Sequence, residues 1–300
     1  MIMKNYYLAI LIFIFGCTSE ICLDQNEYVP KIVVDGWIEP NEPAIVFLTL
    51  SSPFLTQYDS VSIVKSFLNH AKVSIFSRTG EEEILTLFKI KDHFPPYVYK
   101  STQLNGVIGH SYRLKVEYNG QLIIASTTIP QPPQIESITY IGHSKFDGNL
   151  IIKYIPKDIN SAYYLFQTNS KNSKLWLLPT FYPIQIYTSN MGSYAEFALF
   201  KGRENNISNT DIFIPKVDSI GSRFYGIKDT VIVSVSSIDV QSFEVLNSIF
   251  FSLSNYDNPF TVSNPTITNI NGGLGRWTGL GTSKVIFNSC SKDSVYILDK

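Results

Sequence analysis

The chain has four histidines and three cysteines with which to do chemistry. His70, His93, His110 and His143 could ligate a metal or move a proton. No two of them stand at the His-x-x-x-His spacing that puts both rings on one helix face, and there is no Cys-x-x-Cys. Gly109-His110-Ser111 and Gly142-His143-Ser144 repeat a tripeptide, but neither is the Gly-x-Ser-x-Gly elbow that presents a nucleophile between strand and helix. Glu81-Glu82-Glu83 could pair carboxylates for acid–base work, which needs one of them in a pocket with a raised pKa. Directly after the Arg78-Thr79-Gly80 turn, the run reads instead as a solvated hairpin tip. Gly272-Gly273-x-Gly275 followed by Gly279-x-Gly281 has the composition of a phosphate cradle. A cradle needs a helix behind it, so that backbone N–H groups and the helix dipole meet the phosphate. Val285-Ile286-Phe287, just downstream, has a strand pattern instead. The glycines then read as a backbone bend at positive φ near packed aromatics. The alternative is a partner-contact loop of Gly272, Gly273, Gly275 and Trp277, since an exposed Trp suits an interface hot spot. With no catalytic constellation, metal set or cofactor motif, the expectation is a protein that is not an enzyme.

The strongest chemical signal is at the start. Lys4 precedes an uncharged apolar run, residues 6–15, of signal-peptide length and too short to span a bilayer as a helix. Small Gly16 followed by Cys17 resembles a bacterial lipobox, in which the thiol is acylated and cleavage makes the cysteine the new N-terminus. Ile14 suits that motif; Phe15 is bulkier than the usual residue. The expectation is a signal peptide over 1–16, lipidation at Cys17, and a polar tether over 17–30 carrying Glu20, Asp24 and Glu27. An ordinary secretory signal is the alternative. Export would place Cys22 and Cys290 in an oxidising compartment, where they are candidates for a disulfide. Such a bond would close a loop of roughly 270 residues, worth up to about 5 kcal/mol in the chain-entropy model. Two unrelated thiols are the alternative. Beyond the leader no apolar run is long enough to cross a membrane as a helix, so the lipid would be the anchor.

These residues have to be positioned by a chain of 300 residues, which suggests two domains. Its aromatic content of 14% sits in short Val/Ile/Tyr/Phe/Thr runs, which favours strands. The net charge is -1 and no basic cluster is present, so nothing draws the chain to nucleic acid. Strand patterns occupy 31–38, 44–50, 71–77, 83–90, 97–101, 111–118 and 121–129. Asn119-Gly120 between the last two suits a type I′ hairpin turn. Seven strands with regular turn signals predict an immunoglobulin-like β-sandwich over 31–130. Ile129-Pro130-Gln131-Pro132-Pro133 reads as a stiff linker and domain boundary. A second β-rich domain is expected over 134–300, with strands near 136–141, 149–155, 162–168, 174–178, 193–200, 230–236 and 283–287. One amphipathic helix interrupts it at about 240–253, where Val240, Phe243, Leu246, Phe250 and Leu253 recur at helical spacing behind Asp239 as N-cap. The fold class expected is all-β.

Asp257-Asn258-Pro259-Phe260, followed by Asn269-Ile270-Asn271-Gly272-Gly273-Leu274-Gly275, resembles the C-terminal signature of Bacteroidota outer-membrane lipoproteins carrying domain of unknown function 4249. Ile32-Val33-Val34-Asp35-Gly36-Trp37-Ile38, Leu48-Thr49 and Ser52-Pro53-Phe54 look like that family's opening strands. Ala71-Lys72-Val73 and Gly109-His110-Ser111-Tyr112-Arg113-Leu114 fit the same scheme. Trp277 stands where the family often has Phe. The resemblance implies a lipoprotein of the outer membrane, at the cell surface or on its periplasmic face, often encoded beside a TonB-dependent transporter. It implies no reaction and no cofactor.

Asp59-Ser60-Val61, Asp218-Ser219-Ile220, Asp229-Thr230-Val231 and Asp293-Ser294-Val295 share one pattern. It resembles the O-glycosylation acceptor motif of exported Bacteroidota proteins, making Ser60, Ser219, Thr230 and Ser294 candidates. The alternative is that Asp-Ser/Thr before an aliphatic residue is how many strands begin. The function expected is a non-catalytic, membrane-tethered binding or accessory subunit of a TonB-dependent transporter barrel. An independent cell-surface adhesin or glycan-binding module is the alternative, and the small-molecule or glycan ligand is unspecified.

Overall fold

The computed structural model describes residues 28–52, 59–91, 95–144, 147–155, 163–170, 195–201, 210–213, 230–254, 267–288 and 294–297. The chain divides into a small unit, residues 1–30 with 52–56, and a large unit, residues 31–51 with 57–300. In the small unit, Tyr28 and Val29 are exposed. All the described strands and helices belong to the large unit.

Its first half is a sandwich of two sheets. One sheet contains β1 (Ile32–Ile38), β2 (Pro43–Leu50), β5 (Thr86–Lys89), β6 (Tyr97–Asn105) and, from far along the chain, β15 (Leu274–Gly279), in the order β15-β1-β2-β6-β5. The other contains β3 (Lys72–Ser77), β4 (Glu82–Ile84), β7 (Ser111–Tyr118) and β8 (Gln121–Thr128), in the order β4-β3-β7-β8. A short helix, α1 (Ser60–Lys65), lies between β2 and β3. Alternate residues point inward, as the two-residue period of a strand requires. Ile32, Val34 and Ile38 of β1 meet Leu114, Val116 and Ile123 of the facing sheet in one core. The strand orders, β15 aside, are those of an immunoglobulin-like sandwich, A-B-E-D against C′-C-F-G. Tyr112, at the start of β7, donates its hydroxyl to Asn105 O at 3.2 Å and accepts from Val107 N–H at 2.9 Å. This is the tyrosine corner of such sandwiches. The Asn119-Gly120 turn has φ of 46° and 77°, as its residue types suggest.

The second half repeats the plan. β9 (Gln134–Ser144), β10 (Asp147–Ile155), β13 (Thr210–Phe213) and β17 (Ser294–Ile297) form a sheet in the order β13-β10-β9-β17. β11 (Tyr163–Ser170), β12 (Ala195–Lys201), β14 (Thr230–Ile238) and β16 (Gly281–Asn288) form the other, β12-β11-β14-β16. With β9 as A, this is A-B-E against C′-C-F-G, and the rings of Tyr154 and Tyr164 meet edge-on between the sheets at 5.1 Å. The helix α2 (Val240–Ser254) comes directly after β14, where the periodicity places it.

One expectation needs correction. A second domain running unbroken over 134–300 is not what forms: residues 274–279 leave it as β15 and pair in parallel with β1, Val33 opposite Leu274 through Ile38 opposite Gly279. Parallel pairing between strands so far apart in sequence leaves no local turn signal to read. The excursion lies in the connection between β14 and β16, the F and G strands of the second sandwich. Outside the two sandwich interiors, a further core joins Trp37, Phe47 and Val98 of the first half to Leu165, Ile238, Leu246 and Leu280 of the second.

Candidate functional site

An open surface cleft lies where α2 passes residues 267–271. Asp239 starts the helix: its carboxylate accepts Ser242 N–H at 2.6 Å, the N-cap role its side chain suits. Val245 and Leu246 turn inward, and the Phe243 ring lies 4.6 Å from that of Tyr163. Gln241 and Glu244 line the near wall of an open cleft of about 410 Å³, with Val245 and Ile270 beneath and Asn271 on the opposite wall. Two of its polar side chains are already engaged. Asn269 Oδ1 accepts Trp277 N–H at 2.9 Å and its Nδ2 donates to Trp277 O at 2.8 Å, so the side chain imitates a neighbouring strand. The Thr268 hydroxyl donates to Gly275 O at 2.8 Å. The cleft presents amides and one carboxylate, groups suited to a hydroxyl- or amide-bearing ligand.

Behind the cleft, the glycine-rich run is a strand. Gly275 has φ of 98°, and a Cβ there would collide with Val34 O. A Cβ on Gly279 would strike Thr128 O, and one on Gly281 would strike Pro130 O. Glycine is present because another backbone passes at contact distance, not because a phosphate does. The end of β8 and the Ile129–Pro133 connector that follows it are therefore gripped. Gly279 N–H donates to Thr127 Oγ1 at 2.7 Å, and the Ser283 hydroxyl donates to Pro133 O.

Arg276 and Asp35, directly opposite in the parallel pair, form an ion pair at 2.7 Å. The guanidinium, 1% exposed, lies 5.4 Å from the Trp37 ring. Asp35 Oδ1 is buried although its side chain as a whole is 39% exposed. Burial pushes the Asp35 carboxyl above its usual range, and Arg276 pulls it only part of the way back. Burial also lowers Arg276, but a guanidinium stays charged at any physiological pH. Lys284 of β16 reaches the buried carboxylate of Glu39 at 2.6 Å.

Glu81 and Glu82 are exposed, as a solvated hairpin tip requires, but Glu83 departs from that reading. It is 7% exposed, and its carboxylate accepts the N–H groups of Thr102, Gln103 and Leu104 and the Thr102 hydroxyl, at 2.6 to 3.1 Å. Burial alone would push its pKa up; these donors outweigh it and hold the carboxyl below its usual range. A second open cleft, about 380 Å³, lies at the β7–β8 tip beside His70. Its charges pair with each other: Lys115 and Lys72 reach Glu117 at 2.6 and 3.8 Å.

Trp277 is not available to a partner. It is fully buried, and its indole N–H donates to Tyr112 O at 3.1 Å. Of the other residues in that expected contact, Gly272 is exposed while Gly273 and Gly275 are half-buried. Ser60, Thr230 and Ser294 are the first residues of α1, β14 and β17. Cys17, Cys22, Cys290, Ser219, His93 and the strand expected at 174–178 lie outside the described residues. His70 is exposed in a loop, His110 is half-buried beside β7, and His143 lies in β9. Among the described residues no group of three or more His, Cys, Asp and Glu is placed to hold a metal. Sequence reasoning missed Asp35, Arg276 and Glu83 as structural sites. A single charge inside an apolar strand was the available signal for the first two, because such a charge is buried only with a partner.

The family model described as Domain of unknown function (DUF4249) matches residues 18–284. The chain belongs to this family. The DUF4249 match runs from before β1 into β16, so it takes in the cleft, the Asp35–Arg276 pair and the whole of β15. No curated protein matches the chain.

Proposed function

We propose that this DUF4249 chain is a non-catalytic binding protein, lipidated at Cys17 and held at the outer membrane of a Bacteroidota cell as an accessory subunit of a TonB-dependent transporter. The observation that carries the binding reading is how the buried charges are used. Among the described residues these are Glu39, Glu83 and Arg276, and each holds strands together through Lys284, the 102–104 backbone or Asp35. Charges committed in this way are not poised for proton transfer, which needs a group free to gain and lose a proton beside a substrate. The open, amide-rich cleft beside α2 fits recognition better than turnover. The lipid anchor rests on the Lys4 leader and the Gly16-Cys17 junction. The outer-membrane location and the transporter rest on the resemblance of the 257–260 and 269–275 stretches to outer-membrane lipoproteins.

The test is a mild-detergent pull-down of tagged full-length protein from its own outer membrane, with Cys17→Ala as control. Stoichiometric recovery of a transporter barrel that falls in the control supports the reading. Recovery of the lipoprotein alone would defeat the accessory role and favour a self-standing adhesin or glycan-binding module.

A further inference from the structure

Residues 267–281 lie along one open side of the first sandwich. In this strand order the first and last strands, β1 and β8, border the same seam between the two sheets. The segment bonds to both. β15 pairs with β1 along six positions, while Asn271 exchanges backbone hydrogen bonds with Ile124 of β8 at 3.1 and 2.9 Å. Gly279 adds the bond to Thr127 of β8. Beside these attachments Ile270 and Trp277 enter the core of the sandwich. The Trp277 ring is seated against Gly36, where a Cβ would come within 2.8 Å of it, and its N–H reaches β7. Arg276, on the other face of the same strand, sets the register against Asp35.

We propose that residues 267–281 act as an internal donor strand: the first sandwich is incomplete until this late segment closes its seam, so the two sandwiches fold and unfold as one unit. This inference is independent of what the protein binds. Without the segment the core loses its largest side chain and β1 becomes an unprotected edge beside an open seam. The Pro-rich connector, which suggests separable domains, does not separate them.

Two measurements on the detergent-solubilised full chain test this. In native-state hydrogen exchange read by mass spectrometry, Trp277→Ala should speed exchange in β2, β7 and β8 by roughly a hundredfold, together with β14 and β16. Faster exchange confined to residues 267–281, with β2 and β7 unchanged, would overturn the proposal. In pulse-labelled refolding of the wild-type chain, β2, β3 and β7 should gain protection at the same rate as β15. Stable protection of those strands well before β15 would show that the first sandwich closes by itself.

Discussion

The indole N–H of Trp277 donates to the backbone carbonyl of Tyr112 across 165 residues of sequence, and the hydroxyl of that same Tyr112 ties off the β6–β7 corner. The two residues link the late strand to the first sandwich's own stabilising corner. Trp277→Phe keeps an aromatic ring in the core but leaves Tyr112 O without its donor and a gap beside it. A loss of about 2–3 kcal/mol is expected from the missing hydrogen bond and the vacated volume. Equilibrium urea unfolding checks it; a loss under about 0.5 kcal/mol, of the order of an ordinary surface substitution, would contradict it.

Glu83 makes the acid limb of the stability curve informative. Its folded pKa lies below the ordinary 4.5, so its contribution is fully present above that pH and is lost as pH falls through the folded value. Glu83→Gln should cost about 2 kcal/mol at pH 7, since three backbone N–H groups lose a charged acceptor. The difference from wild type should shrink as pH drops below 4.5. Melting temperatures from about pH 7 down to about pH 3 would show it, and a constant gap between the two proteins would refute it.

Two glycines at positive φ should respond differently to a methyl group. Gly80, at 89°, has open space around its missing Cβ, whereas Gly275, at 98°, has Val34 O there. Gly80→Ala should cost about 1 kcal/mol, the backbone term alone. Gly275→Ala should cost more than about 3 kcal/mol, because β15 must move away from β1. Similar midpoints for the two variants in denaturant would be the disproof.

The Asp35–Arg276 pair should be strongly non-additive. Asp35→Asn leaves a buried guanidinium less well compensated, at about 1–3 kcal/mol; the part-exposed Asp35 side chain keeps this below the cost for a fully buried pair. Arg276→Met alone should cost less, and the double variant less than the two single changes together. A double-mutant cycle with no coupling energy would mean that the pair does not set the register.

Much of this fold was legible. The Val/Ile alternation of β1 and β2, the Asn119-Gly120 hairpin and the Asp239-led helix are local patterns with local causes. The features that could not be read depend on distant partners. Gly279-x-Gly281 has a phosphate-loop spacing, yet its cause is the backbone at Thr128 and Pro130, far back in the sequence. Trp277 in a Gly-rich stretch has the composition of an exposed anchor, and only the parallel register with β1 turns it inward. Glu83 sits in a charge run whose local meaning is solvent, and its amide partners come from β6. The cleft beside α2 was missed for the same reason, since its two walls are separate segments of chain.

The connector between the sandwiches, Ile129–Pro133, leaves a β8 end bonded to Gly279, passes against Gly281 and accepts the Ser283 hydroxyl, which leaves it no room to act as a swivel. A molecule that touches both halves would meet a surface whose geometry is already set. The entropy of aligning the two halves is then given up once, during folding, and is not charged again to each binding event.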